Sequence, residues 1–227
     1  MPGRSEGGRL FKEIVDLSAE LRSMDTPVFP GAPQPLKASI QTMKDDGYLS
    51  YLWTFSEHTA THVDAPAHMV EGGETVDKVP LRHFVGSGLV LDVSRRPKGR
   101  PISGGEIEKA LAAADRGSLD GRGWILLLRT GYSAKSRTPE WLEYPDLTEE
   151  ACDVIIKRGF EAVGIDSPSP DRPPFVAHKT LLPKETVIFE NLANLERVMG
   201  KTFVFVGAPL ALVGGSASPC RAIALVM

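Results

Sequence analysis

Apolar positions in this chain fall in short runs separated by Gly, Pro, Asn and Asp, the rhythm of strands and turns rather than of long helices. Residues 10–18 read as a strand. Pro27, Pro30, Gly31, Pro33 and Pro35 then impose a rigid, non-helical loop. Residues 36–43 alternate Leu36, Ala38 and Ile40 with polar partners, as a half-buried strand does, and the aromatic-rich residues 48–57 are β-like. Between them, Asp45-Asp46-Gly47 is a hairpin signal. Further strands are predicted over 88–94, 123–130, 162–165, 186–190, 202–206, 210–213 and 221–226. Two helices carry their own punctuation. Over 103–114, Ser103 and Glu106 form a capping box and Ile107, Ala110, Leu111 and Ala114 share a face. Over 148–158, Thr148 caps the start and Gly159 follows the end. A short helix is expected over 192–199, closed by Gly200, and Gly214 to Ser218 reads as a turn. Residues 1–9 are polar and Gly-rich and are expected to be loosely held. With no repeat, linker or shift of composition, 10–227 reads as one domain of mixed α/β (α+β) class, with a mixed β-sheet core and flanking helices.

Composition narrows the function. Apolar residues at 42% and charged residues at 24% are globular values, which excludes intrinsic disorder. A net charge of −3 gives no basic excess for nucleic acid, and no apolar run is long enough for a membrane helix. The partner expected is a small molecule. The opening residues lack the apolar region of a secretory signal, and Cys152 and Cys220 do not make a disulfide scaffold, so a cytoplasmic protein is expected.

Three of the five histidines fall in one stretch, His58-Thr59-Ala60-Thr61-His62-Val63-Asp64-Ala65-Pro66-Ala67-His68. On a helix, Asp64 would point about 200° away from His62. On an extended chain, alternate residues share a face, and Thr59, Thr61 and Val63 favour that backbone while Pro66 interrupts a helix. The extended form therefore brings His62 and Asp64 together. A straight strand would hold His58 and His68 roughly 33 Å apart, so the chain must bend, and Ala65-Pro66 is the natural place. Two imidazoles and a carboxylate suit zinc, with manganese or iron as alternatives. The bland alternative is a polar loop with satisfied buried histidines.

This stretch resembles the His-x-Gly-Thr-His-x-Asp-x-Pro-x-His signature of the cyclase family, which includes bacterial kynurenine formamidases and isatin hydrolase. Weaker landmarks follow in order over nearly the whole chain: Asp16-Leu17-Ser18, the run Thr26 to Gly31, Leu127 to Thr130, Gly164 to Ser169, His178, Glu190-Asn191-Leu192 and Pro219 to Ala222. The resemblance implies a compact domain, usually a dimer or tetramer. It implies that His58, His62 and Asp64 bind metal, that His178 and Glu190 complete a second position, and that Asp64 and Glu190 can bridge. One or two zinc ions are implied, with manganese as the alternative. His68 would be the acid/base residue of an amide hydrolysis, with N-formylkynurenine the leading substrate. The alternatives are a ring-opening hydrolase of a cyclic amide, imide or lactone, and a non-catalytic metal or ligand binder. Ala60 stands where the family usually has Gly, which suggests a backbone with no strict need for positive φ. Phe29, where many members carry Trp, and Trp53 are candidates for binding substrate, and the loop around Pro27 to Pro35 is a candidate to lie across a neighbour's pocket.

The remaining features take ordinary readings. His83, Cys152 and Cys220 are expected to pack. Arg95, Arg96, Lys98 and Arg100 are expected to form a solvated turn, and Asp166 to brace its loop.

Overall fold

The computed structural model of the protein describes residues 10–97, 99–114 and 116–227. The N-terminus expected to be loose, residues 1–9, and Lys98 of the basic loop lie outside the described residues. Among the described residues there are eleven strands and three α-helices: β1 (Glu13–Asp16), β2 (Leu36–Gln41), β3 (Ser50–Thr54), β4 (His62–Asp64), β5 (Val85–Asp92), α1 (Gly104–Ala113), β6 (Trp124–Arg129), α2 (Glu149–Arg158), β7 (Ala162–Ile165), α3 (Val176–Leu181), β8 (Val187–Glu190), β9 (Phe203–Val206), β10 (Ala217–Pro219) and β11 (Ile223–Val226). Nine strands form one mixed sheet in the order β1-β11-β9-β5-β6-β7-β8-β4-β10. β5 to β8 run parallel to one another, and the flanking strands pair antiparallel.

The parallel centre is apolar on both faces, as covered parallel sheets are. Along β6, Ile125 and Leu127 enter one core with Val63, Phe189 and Phe205. Leu126 and Leu128 point the other way, into a second core with Ile107 and Leu111 of α1 and Ala151 and Ile155 of α2. The caps act as their sequence predicts: Ser103 and Glu106 complete the capping box, Thr148 accepts from the Ala151 amide, and Gly159 ends α2 at φ 78°.

Several expectations need correction. No strand forms over 210–213. A strand, β10, forms instead at Ala217–Pro219, overlapping the segment read as a turn, because it pairs with the edge of β4. Residues 192–199 hold only the 3-10 turn Leu195–Arg197, since Asn194 adopts a left-handed φ of 56° where an α-helix would have to begin. The six-residue α3 was not anticipated. β2 and β3 do form the expected hairpin, but as a separate two-stranded sheet, and β2 is exposed rather than half-buried. Ala60 sits at φ 54°, so the backbone does take the left-handed conformation for which the signature's glycine is suited.

Candidate metal centre

β4 supplies His62 and Asp64 on one face, by the alternation expected of an extended chain. Its antiparallel register with β8 sets His62 opposite Glu190, which brings that carboxylate to the same face. The chain bends where expected: the 3-10 turn Pro66–His68 follows Ala65 and folds His68 back. Upstream, the turn closed by the Thr59 amide on the Ser56 carbonyl and the left-handed Ala60 return His58 to the cluster. His178 arrives from α3.

The six side chains singled out by sequence therefore converge. His58 Nδ1 lies 2.8 Å from Asp64 Oδ1, and His62 Nε2 lies 3.4 Å from the same oxygen. His62 Nε2 is also 3.3 Å from Glu190 Oε2. His178 Nε2 is 3.6 Å from Asp64 Oδ2 and 3.3 Å from Glu190 Oε1. Each carboxylate thus offers one oxygen towards His62 and the other towards His178. The His68 ring is 4.2 Å from that of His58 and 5.6 Å from that of His178, centroid to centroid. Donor atoms of His58, Asp64 and His68 lie within 4.8 Å of one another, as do those of His62, Asp64 and Glu190.

His62 and Asp64 are each 1% exposed, yet His62 Nε2 and both Asp64 oxygens have no hydrogen-bond partner. Buried polar atoms are seldom left so, and here they face one another around a common centre. The electrostatics point the same way. Burial works against a charged His62, but Asp64 and Glu190 outweigh it and push the ring up to about 10. Burial works to raise Asp64, and the facing imidazoles of His62, His178 and His58 hold it well below the usual carboxylate range. Protons on histidine stand in here for the positive charge that two buried carboxylates require. A divalent cation fits that donor set, since it would take the charge and leave the imidazoles neutral, as ligands must be. His68 differs: burial pulls its ring below 6.5, so it is neutral near pH 7.

A residue the sequence reading passed over holds His178. Asp171 Oδ1 lies 2.6 Å from His178 Nδ1, and its Oδ2 accepts from the Ala177 and His178 amides at 2.5 and 3.3 Å. That carboxylate fixes the ring so that Nε2 faces the cluster. The available signal was an acidic residue seven positions before a histidine, which is weak in sequence. Glu57 likewise accepts from the amide and hydroxyl of Ser216 and the amide of Ala217, tying the C-terminal loop beside His58.

Most other residues fall as their ordinary readings expected; Arg96 does not, since its side chain is only 7% exposed and its Nε donates to the Val93 carbonyl. Asp166 braces its loop, accepting from the amide and hydroxyl of Thr130 and the amide of Gly131. His83 is buried, with Nδ1 2.8 Å from the Glu161 carbonyl. Burial pushes the Cys152 and Cys220 thiols up to about 12, which suits packing and not nucleophilic attack. Among the described residues, neither Phe29 nor Trp53 makes a ring contact or hydrogen bond with the six. Trp53 lies on the exposed hairpin, with Lys37 Nζ 5.8 Å from its ring. A cavity of about 220 Å³ opens instead beside Ala60 and Asn191, each next to the cluster in the chain, and is lined further by Glu20, Ser133, Arg137 and Trp141.

The profile of the family described as "Putative cyclase" matches residues 15–172. A kynurenine formamidase of Salinibacter ruber is 34% identical over 220 residues, covering 92% of this chain and 96% of the relative. An isatin hydrolase of Roseibium aggregatum is 26% identical over 248 residues, covering 94% and 92%. A solved structure of a potential metal-dependent hydrolase with cyclase activity superposes with a TM-score of 0.75 at 27% identity, covering 93% of this chain and 96% of the other. The chain belongs to the cyclase family, and it is a hydrolase, with the mixed single-domain fold that the signature implied.

Proposed function

We propose that the protein is a metal-dependent amide hydrolase whose substrate is an aryl formamide, N-formylkynurenine first among them, with formate and the free arylamine as products. One observation carries the reading: two buried carboxylates each present one oxygen to His62 and the other to His178, and both Asp64 oxygens and His62 Nε2 meet no well-formed hydrogen bond. His58, His62, Asp64, His178 and Glu190 would hold zinc, or manganese in its place, with Asp64 and Glu190 suited to bridge two ions. A bound divalent ion would lower the pKa of water and polarise the amide carbonyl.

The chain's own part is proton handling and placement. His68, neutral near pH 7, accepts a proton from the attacking water and returns it to the leaving nitrogen, whose departure as an anion would be unfavourable. Asp171 keeps His178 turned towards the carboxylates. The cavity beside Ala60 and Asn191 is the space for the body of the substrate. The kynurenine formamidase relative, covering 92% of the chain, supports formamide chemistry. The isatin hydrolase relative favours a second reading, opening of a cyclic amide by the same residues, with imides and lactones as the wider class. The working form is a cytoplasmic homo-oligomer.

Direct comparison of kcat/KM for N-formylkynurenine and isatin on the metal-loaded protein tests the assignment. A preference for the formamide is expected. A preference for isatin replaces the substrate but keeps the site, and no turnover of either, with metal bound, returns the non-catalytic binder.

A further inference from the structure

Phe175 precedes α3 at φ 62° and ψ 53°, in the left-handed region. Among the described residues six non-glycines take a positive φ, and Phe175 is the one aromatic of the six. A bulky side chain is strained there, and glycine or asparagine is the ordinary occupant. Nothing in the framework calls for the ring. Phe175 has no capping side chain to offer α3, and Asp171 Oδ2 already accepts from the Ala177 and His178 amides. The residue is half-buried and joins neither hydrophobic core, although Ala177, Leu181 and Leu182 just beyond it enter the second. What the ring does touch is the site. Its centroid lies 5.8 Å from that of His178, at an interplanar angle of 89°. Among the described residues, the rings in contact with His58, His62, His68 and His178 are one another and Phe175.

Backbone strain that packing does not explain collects where a site needs a particular group. We propose that Phe175 is a specificity-determining residue: its ring is an aromatic wall that selects a substrate carrying an aryl group beside the scissile bond. The proposal rests on the hydrolase reading for the position of that bond and adds the group that recognises its neighbour. An aryl group meeting the ring edge-to-face or offset gains roughly 2- to 12-fold in affinity beyond simple burial. A saturated ring of the same size gains from burial alone, and being more apolar it is the one an ordinary apolar pocket prefers. A preference for the aryl ring over the saturated one is therefore the signature of the wall.

Calorimetric titration of the metal-loaded protein with benzamide and with cyclohexanecarboxamide tests it. The two ligands share a carboxamide and a six-membered ring and differ in aromaticity, and neither is a formamide. The wild type is expected to bind benzamide roughly 2- to 12-fold more tightly. Phe175→Leu, which keeps apolar bulk without a π face, is expected to lose that preference. Its KM for N-formylkynurenine, or for isatin if that is the better substrate, is expected to rise by a similar factor with kcat within about two-fold of wild type. Phe175→Gly, whose backbone accepts the positive φ, is the second variant should the leucine protein fail to fold, and the same losses are expected. A wild type that binds both ligands equally, prefers the saturated ring or binds neither overturns the proposal. So does a preference, or an unchanged KM, that survives in a folded variant. Weaker zinc affinity in the variants, measured by competition with a chromogenic chelator, assigns the ring to holding His178 and also overturns it. A wild type that prefers benzamide yet turns over neither N-formylkynurenine nor isatin removes the hydrolase reading and leaves the aryl wall standing.

Discussion

Asp171 and His178 lie in one loop-helix unit, with Oδ1 2.6 Å from Nδ1, and this contact turns the other ring nitrogen towards Asp64 and Glu190. A carboxylate behind a ligating imidazole fixes its tautomer and raises its basicity. Asp171→Asn is therefore expected to weaken metal affinity about 10- to 100-fold. Competition titration against a chromogenic chelator measures it. Unchanged affinity in a folded variant contradicts the positioning role.

His68 sits near enough to His58 and Asp64 to be a donor as well as a proton carrier. The proposed role separates the two. His68→Ala is expected to retain the wild-type metal content and lose on the order of 10²- to 10⁴-fold in kcat. Metal analysis of the purified variant beside its kinetics reads both at once. Loss of an ion per chain assigns His68 to the ligands, and full activity removes it from the mechanism.

The pH profile follows from the same ring. Burial is the largest influence on His68 and lowers it from 6.5, reinforced by His58 and His178 and opposed by Asp64 and Glu190. Cations at the cluster would push the same way. The base form is thus present at neutral pH and is lost only as pH falls through a value beneath 6.5. The acid limb of kcat/KM is expected below 6.5 and absent from the residual activity of His68→Ala. A limb centred above 6.5, or one unchanged in that variant, contradicts the assignment.

Ala60 holds a left-handed φ of 54° while 6% exposed. The conformation costs about 1–2 kcal/mol for an L-residue. Ala60→Gly removes that cost, offset by roughly 0.8 kcal/mol of lost methyl burial and a more flexible unfolded chain, so stability is expected to change little. Ala60→Val adds β-branching to the same φ in a packed site and is expected to cost a further 1–3 kcal/mol, roughly the penalty of overpacking. Denaturant unfolding of the two variants separates them, and equal stability of Val and Gly at this position argues against the strained turn.

The part of the donor set within His58 to His68 was legible because its information is local, whereas His178 and Glu190 came only from the family resemblance. Even-numbered His62 and Asp64 share a strand face, and Pro66 marks the bend, whatever the rest of the chain does. The caps of α1 and α2 are equally local. What escaped depends on partners distant in sequence. β10 is a strand only because β4 offers it an edge, and α3 is too short for a periodic signal. The positive φ of Ala60 was hidden by its side chain, and Asp171 became meaningful only once α3 brought His178 over it. The alternation of Leu36, Ala38 and Ile40 was correct as a strand pattern but does not say whether the apolar face is covered within one chain.

The central claim is that this cluster hydrolyses a formamide with a metal's help, and hydrolysis of N-formylkynurenine by chelator-treated protein tests it most directly. The account predicts turnover above roughly 10⁴ M⁻¹s⁻¹ in kcat/KM for the metal-loaded protein, abolished by the chelator and restored by zinc or manganese. Turnover that persists in fully metal-free, correctly folded protein would contradict it.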